Sequence, residues 1–242
     1  MESQTRESSP ITESPPPPTP PAATWQIQPT CKPSIIYVLG APGAGKGTLC
    51  KLLASSSTNI YHFSVGDHLR NLYKMEAKGR PKDSIGSMHN LDFEHHMPYQ
   101  KLIPAKDIVA ITSYALNKIV QDFAAKGAQM PVILVDGFPR TLESAKLADQ
   151  KRGEPAMVLW FDCDRTTAEG RFLQRQRSVE DNQEVFDKRY DEYAENQPEL
   201  LAHYWERIVQ VGTKKGTGET WTKMQMDVVE ELQKLGEVET DS

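Results

Sequence analysis

Residues 38–48, VLGAPGAGKGT, hold four glycines, one proline and one lysine directly after an apolar run. The G-x-x-x-x-G-K spacing from Gly40 to Lys46 is typical of a loop that binds phosphate between a strand and a helix. Glycines let consecutive backbone N–H groups turn toward an anion, and the start of the helix adds partial positive charge. Lys46 adds a full charge. We therefore predict a phosphate-binding loop (P-loop) here.

The length, composition and net charge of the chain limit the kinds of protein and of partner to be considered. A length of 242 residues suffices for one sizeable α/β domain, and 38% hydrophobic with 25% charged residues is an ordinary globular balance. The net charge of −5 excludes the broad basic field that draws proteins to nucleic acids. No apolar run approaches the roughly 18 residues of a membrane span, so we expect neither a nucleic-acid partner nor a membrane partner.

The three cysteines, Cys31, Cys50 and Cys163, form no C-x-x-C pair. Such a sparse, odd set argues against a disulfide framework and against a zinc site. It indicates free thiols in a reducing compartment, so we expect a cytoplasmic protein, with the nucleus as an alternative.

The N-terminal segment differs from the rest of the chain. It contains SPPPPTPP at residues 14–21 and offers little apolar surface. Proline blocks both helix and strand there. We interpret residues 1–30 as a disordered proline-rich tail, with a proline-rich ligand for another domain as the alternative. Residues 31–242 are predicted to form the folded domain.

Strand and helix signals alternate along that domain. Short apolar runs predict strands at residues 34–40, 60–65, 131–137, 156–164 and 207–213, and the continuous apolar run at 34–40 is typical of a strand buried on both faces. Helices are predicted from about Ala44, from near Asp67, over 106–127, from near residue 182 and over about 220–235. Ser64 with Asp67, and Asp181 with Glu184, have the spacing of helix caps. The alternation predicts a doubly wound, five-stranded parallel sheet with its ligand at the carboxyl ends of the strands.

Charged residues follow the predicted strands. Arg70 lies in SVGDHLR, residues 64–70, after the second strand, and Arg140 ends VDGFPR, residues 135–140, after the third. Arginine suits phosphate because its planar group makes two parallel hydrogen bonds. Asp136 ends the third strand, where an unpaired carboxylate is costly to bury, so we expect a cation beside it.

One arginine stands on an apolar helix face. Arg189 shares its side of the predicted helix after residue 182 with Val185, Phe186 and Tyr193. A cation on such a face needs an anion, so the sequence predicts a bound anion next to Arg189.

These motifs together identify a family. The GKGT at residues 45–48, the SVGDHLR segment and the DGFPR segment resemble the nucleoside monophosphate kinases, the adenylate kinase and UMP/CMP kinase family. The likeness covers about residues 34–235. It implies transfer of the terminal phosphate of Mg·ATP to a nucleoside monophosphate, AMP or UMP/CMP, with Mg²⁺ as cofactor, nucleotides as the partners, and a monomer as the commonest form.

The resemblance also implies the role of each site residue. Lys46 and the loop bind the ATP phosphates, and Asp136 orients Mg²⁺ through water. The acceptor-binding region covers about 65–104 and the short lid about 174–182. The implied loop contacts are Gly43, Ala44, Gly45, Gly47 and Thr48; the implied acceptor contacts are Ser64, Gly66, Arg70, Gly137, Arg140 and Ser144; and the implied catalytic cations are Lys46, Arg140, Arg175, Arg177 and Arg189.

The chain departs from the family pattern at two places. Ser144 replaces the amide that contacts the acceptor base, which should relax or change base selection. The lid is shorter than usual, with Gln176 in place of a glycine and Arg177 one residue out of step. The identity of the base therefore stays open. Two other functions also stay open: a P-loop ATPase that uses water as acceptor, and a degenerate nucleotide-binding regulator.

Overall fold

A five-stranded parallel sheet forms the centre of the protein. The computed structural model describes residues 33–76, 102–127, 131–175, 181–212, 226 and 228–230. The strand order is β2-β3-β1-β4-β5, and all four pairings are parallel. The strands are β1 (Ser34–Gly40), β2 (Ile60–Ser64), β3 (Val132–Asp136), β4 (Met157–Asp162) and β5 (Ile208–Gly212). The predicted α/β sheet is confirmed, with each strand end within two residues of its expected place.

Six α-helices connect these strands in the described part of the chain. They are α1 (Lys46–Ser56), α2 (Val65–Glu76), α3 (Ala105–Ala125), α4 (Leu142–Arg152), α5 (Arg165–Gln174) and α6 (Gln183–His203). A short 3₁₀ helix (Trp205–Arg207) precedes β5, and residues 226 and 228–230 are also helical. None of the helices within these ranges is long and apolar enough to cross a membrane.

Several predictions lie outside the described residues. These are the tail at residues 1–30, Arg177, most of the lid, most of the predicted acceptor-binding region and most of the final helix.

Helix α1 begins at Lys46, two residues later than predicted, and the starts of α2 and α6 also differ from the prediction. The backbone N–H of Asp67 donates to Ser64 Oγ at 3.3 Å, so the expected pair is present, but α2 already begins at Val65, two residues earlier than predicted. A residue that caps a helix stands directly before its first turn. At α6 the cap is Asn182, whose Oδ1 accepts from the N–H of Val185 at 3.0 Å. The predicted cap by Asp181 is therefore wrong by one residue.

Both faces of the sheet are covered by helices. Ile36 and Val38 of β1 pack in one apolar cluster with α1 and α5, and Tyr37 and Leu39 pack in a second cluster with α3 and α4. Alternate residues of a strand point to opposite faces, so a strand covered on both sides is apolar throughout. This explains why a continuous apolar run predicted β1 correctly.

The loop after β1 lies against α5 without room for a side chain. Gly43 has φ of 85°, and a Cβ atom built on it would lie 2.0 Å from the backbone oxygen of Ala168. We expect the Gly43→Ala variant to lose about 1–3 kcal/mol of unfolding free energy, because backbone atoms must move and the left-handed conformation is strained. Urea unfolding measures this.

The matched control is Gly170→Ala, on the helix α5 that Gly43 contacts. A Cβ at Gly170 meets nothing within 4 Å, so alanine should stabilise this exposed helical position by about 0.5–1 kcal/mol. Equal stability of the two variants would show that Gly43 is not held by close contact.

Candidate active site

A cavity of about 520 Å³ lies at the carboxyl ends of the strands. Gly40 at the end of β1, Ser64 at the end of β2 and Asp136 at the end of β3 all line it. Strand ends of a parallel sheet meet at one edge, which is where doubly wound folds bind their ligands. Further lining residues come from the glycine-rich loop, namely Gly43, Gly45, Lys46, Gly47 and Thr48. Ala44, the remaining loop residue of the predicted site, is fully buried.

The loop holds its lysine inward. Gly43 and Gly45 have φ of 85° and 94°, the left-handed conformation that glycine adopts without strain. The Lys46 ammonium donates to the carbonyl oxygens of Gly40 at 2.7 Å and Ala41 at 2.8 Å. Burial lowers the pKa of Lys46 to about 8, against the opposing effect of Asp136. The lysine is a desolvated cation that a phosphate would stabilise.

Four arginines from four separate segments face the same cavity. Arg70 belongs to α2, Arg140 follows β3, Arg175 follows α5 and Arg189 belongs to α6. Together with Lys46 they are five of the six cations that the sequence assigned to the site. The sixth, Arg177, lies outside the described residues.

Carboxylates contact three of these arginines, and the first two are Arg70 and Arg140. Arg70 pairs with Asp67, one turn earlier on α2. Arg140 Nε donates to the carbonyl oxygen of Gly137 at 3.2 Å, and its Nη1 lies 3.8 Å from Glu192 Oε1. These contacts orient the guanidinium groups, and a phosphate with more negative charge can compete for them.

Arg175 is fixed on two sides. It donates through Nε and Nη2 to the two carboxylate oxygens of Asp181, both at 3.1 Å. Its guanidinium carbon lies 3.8 Å from the centre of the Phe172 ring, a cation–π arrangement. The pair joins the end of α5 to the residue before the Asn182 cap, so it connects the two described ends of the segment predicted to be the lid.

The pKa of Arg189 is lowered by its surroundings in the cavity. Burial, followed by the positive charges of Arg140 and Arg175, lowers the pKa of Arg189 to about 10, against the opposing effect of Asp181. A cation is destabilised by desolvation and by like charges, so this side chain lies in a region of excess positive charge. Perturbed titratable groups in a cavity are typical of functional sites.

Asp136 is suited to a hydrated divalent cation. Its side chain is 13% exposed at the cavity, and one carboxylate oxygen lies 3.5 Å from His62 Nε2. Hard oxygen atoms are the ligands that Mg²⁺ prefers, and it often uses one or two protein carboxylates together with waters and substrate phosphates. The residues present therefore fit Mg²⁺.

A smaller recess of about 100 Å³ adjoins the main cavity. Gly66, Arg70, Gly137, Arg140 and Arg189 line both spaces. Ser144 lines the recess but is only 3% exposed, because it belongs to the first turn of α4.

Three charged residues of the cavity were not predicted as site residues: Arg171, Glu192 and Asp181, which was expected only as a helix cap. Arg171 precedes Arg175 by one turn of α5, and Glu192 follows Arg189 by three residues on α6. Residues three or four apart share one face of a helix. Extending that spacing from Arg175 and Arg189 would have found both, but α5 was not predicted as a helix.

The comparisons with known proteins agree with this arrangement. Residues 38–209 match the family model described as adenylate kinase. A UMP-CMP kinase of Gallus gallus is 31% identical over 202 residues, which cover 80% of this chain and 95% of the relative. A UMP-CMP kinase of Xenopus laevis is also 31% identical, covering 80% of this chain and 97% of the relative. UMP-CMP kinase 3 of Oryza sativa subsp. japonica is 33% identical, covering 72% of this chain and 74% of the relative.

The family match includes the glycine-rich loop, all five strands in part or whole, and the five arginines that line the cavity. Sequence, fold and site therefore agree, and the chain belongs to the adenylate kinase family of nucleoside monophosphate kinases.

Proposed function

We propose that this protein transfers the γ-phosphate of Mg·ATP to a nucleoside monophosphate at the cavity described above. The observation that carries the proposal is the meeting of Lys46 with four arginines from separate segments around one space in an acidic protein. Two nucleotides with several negative charges repel each other, and their reaction needs such a local excess of positive charge.

The donor and acceptor phosphates are assigned to different groups. The loop amides and Lys46 bind the phosphates of ATP, since they surround the start of α1, where the helix adds partial positive charge. Arg70 and Arg140 bind the phosphate of the acceptor, since both also border the adjoining recess. In this arrangement the acceptor oxygen approaches the γ-phosphate from the side of the recess.

Arg175 and Arg189 stabilise the phosphoryl group while it is transferred from ATP to the acceptor. Both line the main cavity together with Lys46, and the pKa of Arg189 is lowered to about 10, chiefly by burial and by its neighbouring arginines. Charge that develops on the equatorial oxygens of the transferring phosphate relieves the repulsion among these guanidinium groups. By the family pattern we assign the same role to Arg177.

Asp136 would hold Mg²⁺ through water. When bound, Mg²⁺ supplies charge neutralisation between the outer phosphates of ATP. The short lid, residues 174–182, is proposed to exclude water, which would otherwise compete with the acceptor for the phosphate.

The test is a panel of acceptors. The full chain is incubated with Mg·ATP and each of AMP, CMP, UMP, dCMP and GMP, and nucleoside diphosphate formation is followed. We expect diphosphate from at least one acceptor. ATP hydrolysis that no monophosphate changes would instead identify an ATPase, and tight ATP binding without any turnover would identify a regulator.

ATP binding should weaken as the pH rises above about 8. The pKa of Lys46 is lowered to about 8 by burial in the free protein, and a nearby phosphate would raise it. Binding then takes up a proton at alkaline pH, and affinity falls by at most about tenfold per pH unit. Calorimetric titration with Mg·ATP between about pH 7.5 and about pH 9.5 measures this. A Lys46→Met variant should show a flat profile, and an equal slope in both proteins would contradict the assignment.

The cellular setting is proposed from the thiols. Cys50 and Cys163 are free and buried, which suits a reducing compartment. We propose a cytoplasmic protein that acts as a monomer on nucleoside mono- and triphosphates.

A further inference from the structure

Glu192 places a negative charge in the cavity that the arginines line. It stands on α6, three residues after Arg189, and its side chain is 22% exposed. Its Oε1 lies 3.8 Å from Nη1 of Arg140, which comes from the segment after β3. A carboxylate repels phosphate at this range, and the transfer of phosphate proposed above gives Glu192 no role.

The surrounding cations stabilise this carboxylate. Burial raises the pKa of Glu192, and the charges of Arg140, Arg189 and Lys188 oppose that effect. A partly buried carboxylate is destabilised when it loses a cation partner. Contact with Arg140 is therefore favoured for Glu192 whenever no other anion occupies that guanidinium group.

Arg140 can exchange Glu192 for another anion. Its Nε donates to the carbonyl oxygen of Gly137 at 3.2 Å, which fixes one edge of the guanidinium group. The distance of 3.8 Å to Glu192 exceeds that of a hydrogen bond. The side chain of Arg140 is 53% exposed, so an incoming phosphate can reach it. The hydrogen bonds between arginine and phosphate are shorter and stronger than this ion pair.

Both arginines assigned to the acceptor phosphate face a carboxylate in the free protein. Arg70 pairs with Asp67 of its own helix, so that pair is local to α2. The contact of Arg140 with Glu192 joins two separate elements. It also sets a carboxylate three residues from Arg189, where the transferring phosphate is proposed to lie.

We propose that Glu192 is a counter-charge that competes with the acceptor phosphate for Arg140. It keeps this arginine paired in the free protein, is displaced when the monophosphate binds, and thereby lowers the affinity for the acceptor. Release of the phosphate is favoured in turn, because Glu192 then regains its partner. Glu192 is a positioning residue, since it acts through Arg140. This inference rests on the proposed function, in which Arg140 binds the acceptor phosphate.

The Glu192→Gln variant should bind nucleoside monophosphates more tightly than the unaltered protein. Glutamine keeps the size of the side chain and removes its charge. Calorimetric titration of the full chain with AMP, CMP and UMP, each without ATP, should give dissociation constants roughly 3–30-fold lower, because a repulsion partly screened by water is removed. The gain for Mg·ATP should be smaller, because the loop and Lys46 bind its phosphates. Unchanged or weaker binding of the monophosphates would overturn the inference, and so would an equal gain for Mg·ATP.

The matched control is Glu199→Gln. It removes the same charge from an exposed position of α6, and should change the affinity for each monophosphate by less than about twofold. A gain equal to that of Glu192→Gln would mean that net charge, and not contact with Arg140, is responsible. Initial rates provide a second readout: the KM of Glu192→Gln for the acceptor should fall while kcat does not rise. Damage to the fold would raise KM instead.

The outcomes separate this inference from the proposed function. Diphosphate formation without a gain in monophosphate affinity defeats the inference alone. A gain in affinity without diphosphate from any acceptor defeats the proposed transfer, and still shows competition at Arg140. If no monophosphate binds to either protein, both fail. If Glu192→Gln does not fold, Glu192→Ala carries the same prediction, and failure of both variants to fold would overturn the inference by showing that Glu192 is needed for folding.

Discussion

The Lys46→Met variant should transfer phosphate about 10³-fold more slowly than the unaltered protein. Methionine keeps the length of the side chain but removes the ammonium group at the glycine-rich loop. The loss should appear mainly in kcat, because charge neutralisation matters most while the phosphate moves. Initial rates of diphosphate formation at saturating Mg·ATP, with the acceptor that reacts fastest, measure the effect.

Two controls separate this loss from damage to the fold. Lys51→Met alters an exposed lysine on the same helix and should keep full activity. The midpoint temperature of thermal unfolding of the Lys46→Met variant should be no lower than that of the unaltered protein, because burial already disfavours the charged form of Lys46. A folded Lys46→Met protein with undiminished kcat would refute the assigned role.

Replacement of Arg189 by alanine should lower kcat by about 10³-fold. This guanidinium lies among the charges of Arg140 and Arg175 and has a pKa lowered to about 10, so it is held in a place that an anion must neutralise. Single-turnover measurements with ATP already bound report the chemical step without the contribution of product release.

Its controls are Arg189→Lys and Arg165→Ala. Lysine restores the charge but not the two parallel hydrogen bonds, so we expect partial recovery. Arg165 also contacts α6, through Asp187 and Asp191, but it does not line the cavity, and its loss should leave kcat unchanged. Equal rates for Arg189→Ala and the unaltered protein would mean that the cavity does not stabilise the transferring phosphate.

The fold was predictable where one physical rule dominated. Strands covered on both faces must be apolar throughout, and this rule located the three inner strands, β1, β3 and β4, within two residues. The edge strands β2 and β5 were found from shorter apolar runs, and they carry the exposed side chains of Tyr61 and Gln210. Helix α5 was missed because its sequence, RTTAEGRFLQ, buries only Ala168 and Phe172 and shows little periodicity. The strand order was not predicted either, since it depends on pairings between segments that are distant in sequence.

The site was predictable in its residue types and less so in its contacts. Glycine spacing placed Lys46, and the strand-end rule placed Arg70, Asp136 and Arg140 on the same cavity. The contact of Arg140 with Glu192 was not predicted, because a sequence does not show which carboxylate lies within reach of an arginine from another segment. The hydrogen bonds of the Ser144 hydroxyl to Thr141, in the cap that starts α4, could not be predicted either, since they depend on the geometry of a single turn.

The parallel pairing of β1 has a consequence for how the protein is made. Ser34 of β1 pairs with Val132 of β3 and Ile36 with Met157 of β4, so both partners are synthesised long after β1. At about 5–20 residues per second the first partner emerges from the ribosome on the order of 5–20 s later. During that interval the apolar segment SIIYVLG has no sheet to join, which makes the nascent chain a client for chaperones that shield exposed strands.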